Sequence, residues 1–340
     1  MGLNIADIVP RKAISFPELK NKTVVIDAYN VIYQFLSSIR QLDGTPLMDS
    51  SRKITSHLSG LFYRNIALMQ EGLGLVYVFD GQPPDLKYGT NQKRIEHKAQ
   101  ATEKYEQAKQ EENLEDMNKY AKQSIRLTKE MVKEAIELLE ALGIQCIQAP
   151  SEAEAQASYL CKINKEIYAV GSQDYDSLLF QAPRLIQNLT LARKRKTPTG
   201  FIYISPEIIE LENVLNTLQI SHEQLICLGI LVGTDYNPGG IKGIGQKKAL
   251  DIVRKFKTPA EIFKSVENLL EKQENKFNWQ EIFELFHKPN VKNFELKSLK
   301  LNQSRVREIL LSREFSEDRI ESALLKLQQA KKVQEQKKLF

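Results

Sequence analysis

The sequence has few residues that bind soft metals, with three cysteines and four histidines among 340 residues. Cys146, Cys161 and Cys227 lie far apart and form no C-x-x-C pair. This spacing argues against a zinc site or a disulfide framework, and it predicts reduced thiols in the core. Any metal ion bound by the chain must therefore be held by carboxylates.

The sequence also lacks an apolar run of about 18 residues, the length that a membrane-spanning helix requires. Residues 1–6 contain no apolar signal core, and Ala6 stands where a myristoylation motif requires Ser or Thr. We therefore expect an intracellular protein without a membrane partner. It would be cytoplasmic if the source is archaeal and nuclear if it is eukaryotic.

Positive charge is modest but unevenly distributed. The net charge of +5 does not by itself indicate nucleic acid. Lysine and arginine concentrate in residues 87–133, 193–196 and 242–257 and at the C-terminus. Residues 193–196 are predicted to form a basic surface loop, and the other clusters are candidates for binding a polyanion.

Short segments rich in β-branched residues alternate with helix-compatible segments in the first half of the chain. The predicted strands are 23–26, 75–79, 144–147, 167–170 and 185–189. This alternation predicts βαβ units, and therefore an α/β fold with a mainly parallel central sheet and helices on both faces. Residues 90–142 contain neither Gly nor Pro and begin with a polar stretch, which predicts a protruding helical arm. Ser205 and Pro206 predict the start of a helix.

Acidic residues follow four of the predicted strands. They are Asp27, Asp80, Glu152 with Glu154, and Asp174 with Asp176. Because the carboxyl ends of parallel strands lie along one edge of a sheet, these side chains should meet there. Six carboxylates would repel one another unless cations offset their charge, and hard oxygen ligands favour Mg²⁺ or Mn²⁺. Two such ions can hydrolyse a phosphodiester without a protein nucleophile.

Each acid taken alone could instead be a turn or helix-capping residue. Ser151 and Glu154 fit a capping box, with Glu152 in the first turn of the helix. Caps do not require an acid after every strand, so the combination favours a metal centre. A haloacid-dehalogenase-like phosphatase would need a second Asp two residues after Asp27, and position 29 is Tyr.

Five segments carry a family resemblance. In chain order they are Val-Ile-Asp-Ala at 25–28, Val-Phe-Asp-Gly at 78–81 with Pro83 and Pro84, Ser-Glu-Ala-Glu-Ala at 151–155, Ser-Gln-Asp-Tyr-Asp at 172–176 and Gly-Thr-Asp-Tyr at 233–236. This order resembles that of the flap endonucleases, especially archaeal ones, from Gly2 to about residue 325. The resemblance implies a PIN-like nuclease fold and cleavage of five-prime flaps during Okazaki fragment maturation and base excision repair.

The resemblance also implies a domain organisation. Residues 1–325 would form one nuclease domain, and a basic tail would occupy 326–340. Within the domain, it implies an N-terminal nuclease region (about 1–100), a helical arm or gateway (about 81–130), an internal nuclease region (about 131–235) and a helix–hairpin–helix region (about 224–258).

Seven acids are assigned by the resemblance to two Mg²⁺ ions, for which Mn²⁺ is expected to substitute. They are Asp27, Asp80, Glu152, Glu154, Asp174, Asp176 and Asp235. Asp80 and Glu154 would contact one ion, and Asp174 and Asp176 would hold the other, with Glu154 between the two. The remaining acids would act partly or wholly through water. Asp235 follows a helical segment, so the family alone supplies its assignment.

The resemblance further implies contacts with DNA. Lys87 and Arg94 match the cations at the base of the helical gateway, where positive charge would stabilise the reacting phosphate. Tyr33 resembles an aromatic residue that stacks on a nucleotide, although a core tyrosine is an alternative. Arg40 and Arg64 resemble phosphate-contacting residues, although surface salt bridges would also explain them.

The glycine-rich segment 239–245 has the form of a helix–hairpin–helix module. Glycines allow backbone N–H groups to approach phosphates closely. The candidate phosphate contacts are Lys242, Gly243, Gly245, Lys247 and Lys248. Family members often bind K⁺ here and carry Pro after the last glycine. This chain has Gln246 there, which is expected to leave the loop freer.

The C-terminus departs from the family pattern. Gln336, Leu339 and Phe340 match at most the first half of the peptide with which flap endonucleases bind a sliding clamp. A clamp partner is thus implied by the family alone, and the free protein is expected to be monomeric. Open alternatives are a related nuclease that prefers bubble, gap or four-way DNA, and a non-catalytic module that binds DNA junctions. A PIN-like ribonuclease would lack the glycine hairpin and the long arm.

Overall fold

A computed structural model describes residues 3–41, 44–111, 113–190, 194–197, 200–273 and 276–336. The described strands are β1 (Lys12–Ala13), β2 (Thr23–Asp27), β3 (Gly74–Phe79), β4 (Gln145–Gln148), β5 (Ile167–Gly171), β6 (Arg184–Gln187), β7 (Lys194–Thr197), β8 (Gly200–Tyr203) and β9 (Glu207–Glu210). Seven of them form a central sheet in the order β1-β9-β6-β5-β2-β3-β4, and β7 pairs with β8 as a separate hairpin.

The helices surround this sheet and connect its strands. They are α1 (Ala28–Ser38), α2 (Ser56–Gln70), α3 (Tyr88–Gln110), α4 (Leu114–Gln123), α5 (Lys129–Ala141), α6 (Ala153–Ile163), α7 (Asp176–Leu179), α8 (Leu211–Leu218), α9 (His222–Val232), α10 (Gln246–Lys255), α11 (Pro259–Ser265), α12 (Glu267–Glu271), α13 (Trp279–His287), α14 (Gln303–Leu311) and α15 (Glu317–Gln336). Among these described helices, none combines the length and the apolar character needed to cross a bilayer.

The predicted α/β architecture is confirmed. Strands β6, β5, β2, β3 and β4 run parallel to one another, and each overlaps a predicted strand. Side chains alternate between two cores: Val25, Val78 and Val170 face the core that contains α6 and α9, whereas Val24 and Tyr77 face the core that contains α1 and α2. Both faces are therefore covered, which explains why these strands are continuous apolar runs in the sequence.

Two predictions about the segment 193–210 are wrong. No helix starts at Ser205 and Pro206: the next residues form β9, which is antiparallel to β6 and to β1. Ile209 is fully buried in this position, and the carbonyl of Pro206 accepts a hydrogen bond of 2.9 Å from the N–H of Ile14. Pairing with strands distant in sequence thus overrides the local capping signal, and helix α8 begins only at Leu211. The predicted loop at 193–196 contains most of strand β7.

The segment 90–142 is helical, as predicted. Helices α3 and α4 pack against each other, and their few small or apolar side chains, such as Ala101, Ala108 and Met117, are buried there. The Asn113 side chain caps α4 by accepting a hydrogen bond of 3.2 Å from the N–H of Asp116. Helix α5 then returns to the sheet. The expected tail from residue 326 begins inside α15, where Leu327 is fully buried.

Candidate metal centre

The predicted acids of the central strands lie at one edge of the sheet. β2 lies between β5 and β3 and runs parallel to both, so their carboxyl ends are adjacent. Asp27 ends β2, and Asp80 follows β3. Asp174 and Asp176 follow β5 by a short turn, and Asp176 is the first residue of α7.

Asp80 connects this edge to helix α6. Its Oδ1 accepts a hydrogen bond of 2.7 Å from the N–H of Ala153, the first residue of α6. Glu152 and Glu154 flank that residue and therefore lie beside Asp80. The capping box between Ser151 and Glu154 is not formed, because the cap residue of α6 is Glu152, whose own side chain makes no capping hydrogen bond.

Glu154, Asp174 and Asp176 form the densest part of the cluster. One carboxylate oxygen from each lies within 4.8 Å of the others. Ser172 orders this group: its hydroxyl donates to Oε1 of Glu154 (2.7 Å) and accepts from the N–H of Asp174 (3.1 Å). Such a spacing of oxygen atoms suits a hard divalent cation.

Asp235 and Lys87 complete the site. Asp235 lies in the loop after α9, and its Oδ2 is 3.5 Å from Nζ of Lys87. The same ammonium forms an ion pair with Glu152 and lies 5.3 Å from the ring centroid of Tyr236. The acid that only the family could assign is therefore adjacent to the acids that the strand pattern predicted.

Burial and mutual repulsion raise the pKa values of these acids. Burial and the charge of Asp80 raise the pKa of Asp27 to about 8. Burial raises the pKa of Glu154 well above its ordinary value, and Asp174 and Asp176 add to the shift. Burial likewise raises the pKa values of Asp80, Glu152, Asp174 and Asp176.

Lys87 is a positive group of the described residues that contacts this acidic cluster. Burial lowers the pKa of Lys87, but the attraction of Glu152 and Asp235 outweighs it, so the pKa rises and the ammonium stays charged. Buried carboxylates are costly without counter-charge, so bound cations would stabilise the cluster. An all-oxygen donor set of this kind fits divalent ions such as Mg²⁺ and not softer metals.

Asp27 also has a structural role as a helix cap. Oδ1 of Asp27 accepts a hydrogen bond of 3.1 Å from the N–H of Asn30 and so caps α1. A cap uses one carboxylate oxygen and leaves the other available. Asp27 is therefore both a structural residue and a candidate ligand.

The glycine segment forms a hairpin between α9 and α10. Gly239, Gly240 and Gly243 have φ values of +86°, +57° and +87°, a region that favours glycine. A Cβ at Gly240 would collide with the backbone of α9, whereas one at Gly243 would meet open space. Ile241 and Ile244 are buried and anchor the hairpin.

The outer surface of this hairpin is positive and accessible. Lys242, Gly243, Gly245, Lys247 and Lys248 are all exposed. Gly245 is the cap residue of α10, so the first N–H groups of that helix lie beside these lysines. This arrangement suits a phosphate backbone. Binding of K⁺ stays a prediction.

The side chain of Gln246 contacts the N-terminal segment. Its Oε1 accepts a hydrogen bond of 3.1 Å from the N–H of Asp7, and its Nε2 lies 3.3 Å from Oδ1 of Asn4. The residue that replaces proline thus holds the hairpin against the N-terminal segment.

Three further predicted DNA contacts lie on α1, just after its end and on α2. Tyr33 is partly exposed, and its hydroxyl accepts a hydrogen bond of 3.3 Å from Nζ of Lys98 on α3, so it is not a core tyrosine. Arg40 donates to the carbonyls of Leu36 (2.9 Å) and Gly44 (2.6 Å), which orders the end of α1. Arg64 is partly exposed on α2.

Several predicted residues cannot be placed. The side chains of Arg94 and Gln336 lie outside the described part of the chain, and so do Leu339 and Phe340. Their predicted roles stay predictions.

Sequence reasoning missed the groups that orient the acids. Ser172 and Ser177 donate to Oε1 of Glu154 (2.7 and 3.5 Å), and the N–H of Leu3 donates to Oδ1 of Asp176 (3.3 Å). The position of Ser172, two residues before Asp174, was a local signal that this serine could bond to the acidic cluster. The contact from Leu3 spans 173 positions and has no local signal.

Comparison with known proteins gives consistent results. The family models of the XPG N-terminal domain and the XPG I-region match residues 5–101 and 143–235. Flap endonuclease 1 of Thermococcus onnurineus is 47% identical over 343 residues, covering 100% of this chain and 98% of that protein. Flap endonuclease 1 of Pyrococcus furiosus is 48% identical over 334 residues, covering 97% and 96%. The solved structure of flap endonuclease-1 from Methanococcus jannaschii matches with a TM-score of 0.75 at 40% identity, covering 97% of this chain and 98% of that one.

Proposed function

This chain belongs to the flap endonuclease family, and on that premise we propose that it removes five-prime flaps from branched DNA by metal-dependent phosphodiester hydrolysis. It is an endonuclease and five-prime exonuclease that acts at the junction of single and double strands, in Okazaki fragment maturation and base excision repair. The observation that carries the proposal is the convergence of Glu154, Asp174 and Asp176, whose carboxylate oxygens lie within 4.8 Å of one another.

The acids have separate tasks in this proposal. Asp80, Glu154, Asp174 and Asp176 would hold two Mg²⁺ ions, with Glu154 shared between them. When bound, the ions would supply Lewis acidity and a water of lowered pKa. Asp27, Glu152 and Asp235 would support the ions through water. Hydrolysis by this route needs no covalent nucleophile from the protein.

Lys87 stabilises the reacting phosphate. Its ammonium lies at the acidic cluster between Glu152 and Asp235, with its pKa raised, so it stays cationic at neutral pH. A fixed positive group beside the scissile phosphate lowers the energy of the transition state, in which negative charge shifts on the phosphate oxygens. Arg94 has the same role.

Other residues hold the DNA. The exposed lysines and backbone N–H groups at 242–248 bind phosphates of the duplex, independently of base sequence. Tyr33 stacks on a nucleotide near the cleavage site, Arg40 and Arg64 contact phosphates, and the α3–α4 arm guides the single strand. A sliding clamp binds through Gln336, Leu339 and Phe340, and the free protein is monomeric.

Cleavage of defined substrates tests the proposal. Purified protein is assayed with Mg²⁺ on equimolar flap, bubble, gap and four-way DNA of the same sequence, with and without excess chelator. We expect the flap to be cut fastest and every activity to disappear with chelator. Preference for the bubble, gap or four-way substrate would identify a related nuclease, and binding without cleavage of any substrate would indicate a non-catalytic junction module.

A further inference from the structure

The N-terminal segment 3–9 connects the metal centre to the hairpin. At one end, the N–H of Leu3 donates to Oδ1 of Asp176 (3.3 Å). Four residues later, the N–H of Asp7 donates to Oε1 of Gln246 (3.1 Å), and Gln246 is the first residue of α10. A short piece of chain thus contacts both a candidate metal ligand and the helix that follows the phosphate-binding glycines.

Gln246 uses both ends of its amide in this contact. While Oε1 accepts from Asp7, Nε2 lies 3.3 Å from Oδ1 of Asn4 and 3.4 Å from Oδ2 of Asp7. An amide is suited to this position because it is an acceptor and a donor at once. A proline or an aliphatic side chain at 246 could make none of these hydrogen bonds.

The segment is anchored in the core by alternate apolar residues. Ile5 is fully buried and Leu3 and Val9 nearly so, with exposed fractions of 3% and 6%. The N–H of Val9 donates to the carbonyl of Ile5 (3.2 Å), which closes a turn. Arg11 donates to the carbonyl of Ala6 (3.1 Å) just before β1 enters the sheet. The backbone between Leu3 and Asp7 therefore has a defined course.

We propose that Gln246 is a positioning residue that, through the segment 3–9, aligns the carboxylate of Asp176 with DNA bound at the hairpin. The inference rests on the proposed nuclease function. Gln246 directly precedes Lys247, so DNA bound there fixes its backbone, and its side chain then fixes Asp7. The expected signature is slower cleavage of bound DNA, with little change in affinity.

The size of the effect follows from the number of hydrogen bonds. Each solvent-exposed hydrogen bond changes an equilibrium by a factor of about two to ten. Gln246→Leu removes these hydrogen bonds but leaves the contact between Leu3 and Asp176 in place. We therefore expect it to slow cleavage only about three- to ten-fold at saturating DNA. Gln273→Leu is the matched control, since Nε2 of Gln273 donates to the hairpin carbonyl of Gly240 (3.3 Å) from outside the segment 3–9.

The experiment measures three quantities on folded full-length protein. They are the single-turnover rate of flap cleavage with Mg²⁺, the Kd for flap DNA in Ca²⁺, and backbone hydrogen exchange of the N-terminal peptide without metal or DNA. Gln246→Leu should lower the rate, leave Kd within about two-fold and speed exchange at Asp7. Asp7→Ala should add little to Gln246→Leu, because the Asp7 carboxylate has already lost its contact with Nε2 of Gln246 in that variant.

Two results would overturn the inference. One is a wild-type rate and unchanged exchange in Gln246→Leu; the other is an equal slowing in Gln273→Leu, which would mean that any hairpin perturbation suffices. Failure of the wild-type protein to cut the flap would instead refute the proposed function. The exchange measurement would then still report on the contact between Gln246 and Asp7.

Discussion

Nζ of Lys87 lies 3.5 Å from Oδ2 of Asp235, although Lys87 follows strand β3 and Asp235 lies beyond helix α9. The same ammonium is paired with Glu152. Nζ of Lys87 therefore lies beside two acids that are candidate supports of a divalent ion, and a bound ion would compete with the ammonium for their oxygens. We expect metal binding to weaken these ion pairs and to leave the ammonium of Lys87 available to a phosphate.

Replacing Lys87 with Met should slow cleavage but strengthen magnesium binding. We expect cleavage to fall by about 10²- to 10³-fold, the usual loss when one group that stabilises transition-state charge is removed. Half-saturation with Mg²⁺ should occur at a lower concentration, because the competing ammonium is gone. Single-turnover rates across a magnesium titration measure both quantities.

Lys288→Met is the control for Lys87→Met. Lys288 forms an exposed ion pair with Glu284 at 3.4 Å, so its loss should leave both quantities unchanged. Weaker magnesium binding in Lys87→Met would contradict the competition between the ammonium and the metal.

Removing a metal ligand should abolish cleavage and preserve binding. Asp80→Ala or Asp174→Asn leaves the hairpin lysines intact but deletes a candidate contact to one ion, so cleavage should drop at least about 10³-fold. Junction affinity, measured by fluorescence anisotropy in Ca²⁺, should change less than about three-fold. Turnover close to wild type in either variant would refute the assignment of that acid.

The hairpin should contribute to affinity through counterion release. Lys242→Ala combined with Lys247→Ala removes two charges from phosphates, so the slope of log Kd against log salt should fall by about 1.8. The control pair is Lys20→Ala with Lys165→Ala, exposed residues next to the opposite ends of β2 and β5. An unchanged slope in the hairpin variant would show that the hairpin is not a phosphate site.

The sequence predicted the strands of the site well because their physics is local. Central strands buried on both faces must be continuous apolar runs, as in 24–26 and 75–79, and an acid directly after such a run lies at the sheet edge. The strand β9 was missed because four residues after Pro206 carry no such run, and only pairing with β6 specifies it.

Contacts between distant parts of the chain could not be predicted. The hydrogen bond between Asp7 and Gln246 joins positions 239 residues apart, and neither residue belongs to a periodic pattern. Likewise, Asp235 follows a helix, and its assignment to the metal centre rested on the family resemblance alone. The ion pair that brings Lys87 to it depends on how two loops fold over the sheet edge, which periodicity does not specify.

The raised pKa values predict an unusual dependence of stability on pH. The folded-state pKa of Asp27 is about 8, against 3.8 for the ordinary group, and the pKa of Glu154 is also raised. Between pH 3.8 and about 8, Asp27 binds more protons in the folded state than in the unfolded state, so the free energy of unfolding falls as pH rises. The metal-free protein should therefore have a lower Tm at pH 8.5 than at pH 6.

Magnesium should reverse this trend. Bound ions stabilise the ionised carboxylates, and protons compete less for those oxygens at high pH, so the gain in Tm with saturating Mg²⁺ should be larger at pH 8.5 than at pH 6. Calorimetry with chelator and with Mg²⁺ at both pH values measures the difference. Asp27→Asn should flatten the metal-free pH dependence because it removes one of the raised groups. A gain that is equal at both pH values would mean that the buried acids are not the groups that bind the metal.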